Sequence, residues 1–236
     1  MTIGYFLVTH GSSDPMASQQ FQELINVAQI WCPNQIIGGG CLEGLPQSLT
    51  EQLLSFSQIA WRTQPQLRQV QVIPLFLLPG VHVCEDLPRA LELANQAIGF
   101  DLFQLGNYLG QHPEIPRLLA QKFALFPSDR RILLSHGSKL SGAQRLISSL
   151  ASQLGAEPAY WAMEPKLSNQ ISGSGSVTVL PYFLFPGKIP RAIAAEIANY
   201  DHVRLTSLPF TTTELVELTC LHAFQNSDPK QAQPQL

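Results

Sequence analysis

The feature that most constrains this chain is an internal repeat, because its second half runs through the same segments as its first in the same order. Phe6-Leu7-Val8-Thr9-His10-Gly11-Ser12 reads against Ile132-Leu133-Leu134-Ser135-His136-Gly137-Ser138. Val72-Ile73-Pro74-Leu75-Phe76-Leu77-Leu78-Pro79-Gly80 reads against Val179-Leu180-Pro181-Tyr182-Phe183-Leu184-Phe185-Pro186-Gly187. Between them, Cys41-Leu42-Glu43 is set against Ala162-Met163-Glu164, each after a second strand-like run. Three ordered anchors predict two copies of one unit, residues 1–125 and 130–224, with a boundary in the proline-containing stretch near Phe126-Pro127-Ser128-Asp129-Arg130. Residues 225–236 are rich in Gln, Pro, Asp and Lys without apolar periodicity and read as a disordered tail.

Within the first copy, short β-rich runs alternate with helix-length segments. Strands are expected at Ile3–Thr9, Gln35–Cys41, Gln69–Leu77 and Asp101–Leu105, and helices near Met16–Trp31, Pro46–Trp61 and Leu87–Ala97. This alternation predicts an α/β fold in which each copy is a parallel sheet flanked by helices. The near-continuous apolar run Val72 to Leu78 suits a strand covered on both faces. Pro74 inside it argues against a central position, since proline donates nothing to the ladder.

Charge and cysteine usage remove several function classes. The net charge is -3, and the 14 Lys and Arg residues are spread thinly, leaving no basic stripe to neutralise nucleic-acid phosphates. The longest apolar runs fall short of the roughly 20 residues that span a bilayer, and the N-terminus carries no basic export signal, so a soluble, cytoplasmic protein is expected. A monomer is the expected state, although the sequence does not fix it. Cys32, Cys41, Cys84 and Cys220 have no CxxC spacing and read as free thiols in a reducing compartment. Cys84 stands two residues from His82 and could reach the same site.

His10 and His136 each follow a strand directly and precede Gly-Ser, which places them at the carboxyl edge where open α/β sheets bind ligands. Such a histidine either carries chemistry or simply caps a strand end. The copies diverge after the third strand. Pro79-Gly80 leads into Val81-His82-Val83-Cys84-Glu85-Asp86-Leu87-Pro88-Arg89, whereas Pro186-Gly187 passes at once to Lys188-Ile189-Pro190-Arg191, a loss of five residues that removes the counterpart of His82. In the first copy His10 and His82 can therefore converge, with Glu43 arriving from the second strand. Two imidazoles and a carboxylate suit a divalent first-row metal with open coordination positions. Neutral imidazoles, with an ordinary pKa of about 6.5, both ligate and accept protons. That dual character fits metal insertion into a macrocycle, where two pyrrole N–H protons leave as the ion enters. Glu43 read by itself is equally a solvated loop carboxylate or a charge near a helix N-terminus.

At these residues the sequence resembles the class II tetrapyrrole chelatases, specifically the sirohydrochlorin cobalto- and ferrochelatases of the long, two-copy form. The resemblance is carried by Thr9-His10-Gly11-Ser12-Ser13-Asp14-Pro15, by Leu42-Glu43-Gly44-Leu45-Pro46-Gln47-Ser48-Leu49 and, most specifically, by Pro74 to Pro88, and it covers roughly residues 1–224. It implies two chelatase-like domains facing each other across a cleft that holds the tetrapyrrole. It also implies insertion of Co2+ or Fe2+ as substrate without ATP or an organic cofactor, with His10 and His82 as metal ligands and proton acceptors and Glu43 assisting. The second copy departs from the active pattern, keeping His136 and Glu164 without a counterpart of His82, and is expected to form the opposite wall. Because sirohydrochlorin is a polycarboxylate, local cations are needed, and Arg89, Lys139, Lys188 and Arg191 beside the matched loops are the candidates. Two competing readings are a tetrapyrrole or metal carrier without turnover and a histidine-phosphatase-like phosphoryl transferase. The latter needs an arginine before the histidine, where this chain has Thr9 and Ser135.

Overall fold

A computed structural model describes residues 3–138 and 140–225 of the chain. Strand β1 (Ile3–Thr9) opens the first sheet, and Tyr5 to Val8 are all buried, as an apolar run covered on both faces must be. Helix α1 (Pro15–Trp31) starts where Asp14 accepts a hydrogen bond from the Met16 backbone N–H (3.1 Å), and Pro15 supplies a first position that needs no donor. Strand β2 (Ile36–Cys41) contains Gly38, Gly39 and Gly40 because the flanking helices approach it closely. A Cβ on Gly38 would stand 2.5 Å from Phe56, and one on Gly39 2.5 Å from Ile25. Helix α2 (Leu49–Thr63) begins with a reciprocal Ser48–Glu51 capping box. Strand β3 (Gln69–Pro74), helix α3 (Leu87–Ile98) and strand β4 (Phe103–Leu105) complete this half.

The chain continues through α4 (Ile115–Ala124), β5 (Arg130–Ser135), α5 (Ser141–Gln153), β6 (Glu157–Tyr160), α6 (Leu167–Gln170), β7 (Val177–Pro181), α7 (Lys188–Ile197), β8 (Val203–Leu205) and α8 (Thr212–Gln225). Both sheets are parallel throughout. Their strand orders are β2-β1-β3-β4 and β6-β5-β7-β8, the same topology offset by four strands, so the repeat read in the sequence is a repeat of fold. In one half Phe6, Val8, Leu53, Phe56, Val72 and Leu91 share a core between sheet and helices, and Ile132, Leu134, Val179, Ile193 and Ile197 do so in the other. None of the described helices is long and apolar enough to cross a membrane.

Two details differ from the sequence expectation. Pro74 does not exclude β3 from the middle of its sheet: the strand pairs with β1 on one side and β4 on the other. Pro74 is the last residue of the strand, paired with Val8, and the ladder is carried onward by Leu75, whose N–H donates to the Val8 carbonyl (2.7 Å). Beyond that one bond the pairing stops, so the strand ends at Pro74 instead of Leu77. The compact units also exchange helices. Among the described residues, one comprises 3–76, 81–112 and 212–225, and the other 77–80, 113–138 and 140–211. Helix α8 accordingly packs on α1 and β3, burying Leu215, Val216 and Leu218, while α4 packs beside β7. The end helices α4 and α8 are thus each held by the sheet of the opposite repeat. The tail proposed for 225–236 lies, apart from Gln225, outside the described residues.

Candidate metal centre

In the first sheet the chain steps from β1 to β2 on one side and returns to β3 on the other, so the strand order reverses between β1 and β3. Such a switch point leaves a crevice beyond the carboxyl ends of the two strands. His10 is the first residue after β1. The loops after β1 and β2 are laced together there, with the Leu42 N–H donating to the Thr9 carbonyl (3.1 Å) and the Glu43 N–H to the His10 carbonyl (2.8 Å). Gly11 makes this possible. It adopts φ +96°, and a Cβ there would fall 1.9 Å from the Glu43 carbonyl oxygen. Glu43 is thus fixed at the backbone beside His10, and its Oε2 stands 4.0 Å from His10 Nδ1.

His82 arrives from the other strand of the switch point. After β3 the chain enters one π-helical turn, His82–Asp86, closed by the Leu87 N–H on the His82 carbonyl, and then runs into α3. Single π turns of this kind often occur at functional sites. The turn sets His82 Nε2 3.1 Å from His10 Nε2, with the rings nearly perpendicular at 85° and their centroids 4.6 Å apart. On its other side His82 Nδ1 lies within hydrogen-bond distance of Asp86 Oδ2, at 2.7 Å.

The ligand atoms of His10, Glu43 and His82 all lie within 4.8 Å of one another, the one such group of three or more among the described residues. Two donors that each bind an ion at roughly 2.1 Å and subtend 90–109° are about 3.0–3.4 Å apart, and the Nε2 pair meets that condition. The side chains are 46%, 64% and 36% exposed, so an ion held there keeps positions open to a second molecule. The donor set of two nitrogens and one carboxylate oxygen fits divalent cobalt or iron.

The remaining expectations fare differently. Cys84 is exposed and outside the cluster. Arg89 is exposed in the first turn of α3, in the unit that carries the cluster, and Lys188 and Arg191 are exposed in the first turns of α7, in the other. Lys139 lies outside the described residues.

His136 takes the same place after β5 that His10 takes after β1, with Nδ1 3.1 Å from the Gly137 carbonyl oxygen. Glu164, however, is not the counterpart of Glu43. The bond equivalent to Glu43 N–H on His10 is made by the Ala162 N–H on the His136 carbonyl (2.9 Å), so the position of the carboxylate is taken by Ala162. Glu164 lies two residues further on and accepts from the Lys166 N–H and the Asn169 amide. The second half therefore lacks two of the three groups. Sequence reasoning passed over Asp86, whose spacing of four residues from His82 was the available signal.

The CbiX family profile matches residues 4–124, more than half of the chain and the stretch that holds all three clustered residues. The chain belongs to the CbiX family. Over 91 residues this CbiX-family chain is 28% identical to a sirohydrochlorin cobaltochelatase of Methanococcoides burtonii, a match that covers 39% of the chain and 65% of the relative's own length. Among solved structures it resembles SirB of Bacillus subtilis with Fe3+ (TM-score 0.81, 18% identity, 99% of this chain and 98% of that one). It likewise resembles the sirohydrochlorin chelatase SirB of Bacillus subtilis subspecies spizizenii in complex with cobalt (TM-score 0.79, 18% identity, 98% of each chain). These likenesses show a shared fold, and with the family match they bear out the resemblance to the class II chelatases.

Proposed function

We propose that this protein inserts a divalent metal ion, Co2+ or Fe2+, into sirohydrochlorin without ATP, as a step in sirohaem or cobalamin formation. The observation that carries this reading is the 3.1 Å approach of His10 Nε2 and His82 Nε2, with Glu43 beside them, at the switch point of a CbiX-family sheet. The names of the relatives support the substrate class, and the Fe3+ and cobalt in the two SirB structures support iron and cobalt as the metals handled.

The chemistry follows from the groups present. His10 and His82 offer neutral nitrogens to the ion and leave its remaining positions to solvent or to the macrocycle. As the ion passes to the pyrrole nitrogens, two N–H protons must depart, and the imidazoles released from the ion are bases of suitable strength at neutral pH. Glu43 lowers the energy of the cationic species on this edge and can take a proton onward to solvent. Arg89, Lys139, Lys188 and Arg191 are the proposed partners of the substrate carboxylates.

A phosphoryl-transfer reading has no support in the geometry, since the residue before His10 is Thr9 and the histidine faces a second imidazole. A carrier would use the same site without turnover. The deciding experiment incubates the protein with a large excess of sirohydrochlorin and Co2+, Fe2+ or Ni2+ and follows the visible spectrum. A chelatase converts many equivalents, faster than the protein-free control. Conversion limited to one equivalent supports the carrier, and a rate equal to the control removes the proposal.

A further inference from the structure

We infer that Asp86 is a positioning residue that locks His82 in the Nδ1–H tautomer and thereby aims the Nε2 lone pair at the metal position. This rests on the chelatase reading only for its use of the metal position.

An ionised carboxylate only accepts hydrogen bonds, so in the 2.7 Å contact His82 Nδ1 is the donor. A neutral imidazole that keeps its proton on Nδ1 has its one free lone pair on Nε2, and that atom faces His10 Nε2. Asp86 stands at the start of α3 but makes no side-chain bond to the helix terminus, and among the described residues its side chain hydrogen-bonds His82 and no other group. The two residues also come and go together. They are the first and last residues of the π turn, and in the second half α7 starts at Lys188 directly after Gly187, with neither a histidine nor an orienting aspartate. His10 is held more loosely, by a 3.3 Å contact of Nδ1 with the Gly11 carbonyl and by Glu43 at 4.0 Å. The histidines are therefore unequal: His82 is preset for an ion, and His10 adapts. A carboxylate behind a histidine ligand fixes tautomer and ring orientation and raises ligand basicity, and its loss typically weakens metal affinity or activity by ~10–100-fold.

The test compares the wild-type chain with Asp86→Ala and Asp86→Asn at about pH 8, where imidazole is neutral. Nitrogen-15 NMR of the histidine rings reports the tautomer, Co2+ titration reports affinity, and insertion kinetics report KM separately for ion and macrocycle. In the wild type His82 is expected as the Nδ1–H form. In Asp86→Ala it shifts to the Nε2–H form, the Co2+ affinity and the KM for Co2+ worsen by ~10–100-fold, and the KM for sirohydrochlorin stays the same. Asp86→Asn, whose amide oxygen still accepts from Nδ1, restores the tautomer and most of the affinity, which no general loss of structure would allow. The inference is overturned if Asp86→Ala keeps His82 in the Nδ1–H form, or if its Co2+ affinity stays within about twofold of wild type. A wild-type chain that binds Co2+ but leaves sirohydrochlorin unmetallated would end the chelatase reading, while the tautomer and affinity measurements would still decide the role of Asp86.

Discussion

His10 and His136 each stand one residue past the first strand of their sheets and turn Nδ1 toward the carbonyl of the following glycine. What separates them is their neighbours. His10 meets His82 and Glu43, while the equivalent of Glu43 beside His136 is Ala162. Gly11 is the residue on which this placement depends, because the Glu43 backbone occupies the space of its missing side chain. Gly11→Ala should add roughly 1–3 kcal/mol of backbone strain and push Glu43 away, lowering both thermal stability and Co2+ affinity. Gly137→Ala meets the same left-handed strain at φ +91°, but its Cβ would press on the flexible Met163 side chain at 2.7 Å. It should lower stability while leaving Co2+ affinity at the wild-type level. Thermal melts paired with Co2+ titrations check this, and unchanged Co2+ binding in Gly11→Ala would show that the position of Glu43 is immaterial. At this scale the convergence of His10, His82 and Glu43 was legible in the sequence, since strand ends and an ordered repeat placed them on one edge. The pairing of Glu43 with Glu164 was not, because the register of parallel strands leaves no mark in a sequence and a shared letter misled. Asp86 was passed over because its meaning depends on a local π turn.

The π turn His82–Asp86 is the element that distinguishes the halves. The second half reaches its own helix from Gly187 without such a turn and is still a complete four-stranded unit, so the turn is dispensable for folding. A chain lacking residues 81–85, joined so that Gly80 meets Asp86 as Gly187 meets Lys188, should retain its circular-dichroism spectrum and cooperative melt. It should also lose measurable Co2+ binding. Persistent wild-type binding in the deletion would place the ion elsewhere. The sequence alignment located this gap correctly, since insertions change spacing in a way a repeat exposes. It could not show the conformation of the inserted turn, and it extended β3 three residues beyond Pro74, where apolar residues leave the sheet.

For the whole molecule, duplication was the most legible property: the two sheets have one topology. The exchange of α4 and α8 between the compact units was hidden, because amphipathic helices report that they have an apolar face without reporting which sheet covers it. Under the proposed function, the duplicated fold keeps its chemistry in the first half alone. The most direct measurement is the initial rate of Co2+ insertion into sirohydrochlorin, corrected for the uncatalysed rate, for wild type, His10→Ala, His82→Ala and His136→Ala. Loss of a ligand that also accepts a proton should slow His10→Ala and His82→Ala by at least ~10²- to 10⁴-fold, while His136→Ala stays within about threefold of wild type. Near wild-type rates in the first two variants, with His136→Ala inactive, would contradict the account and move the chemistry to the second half.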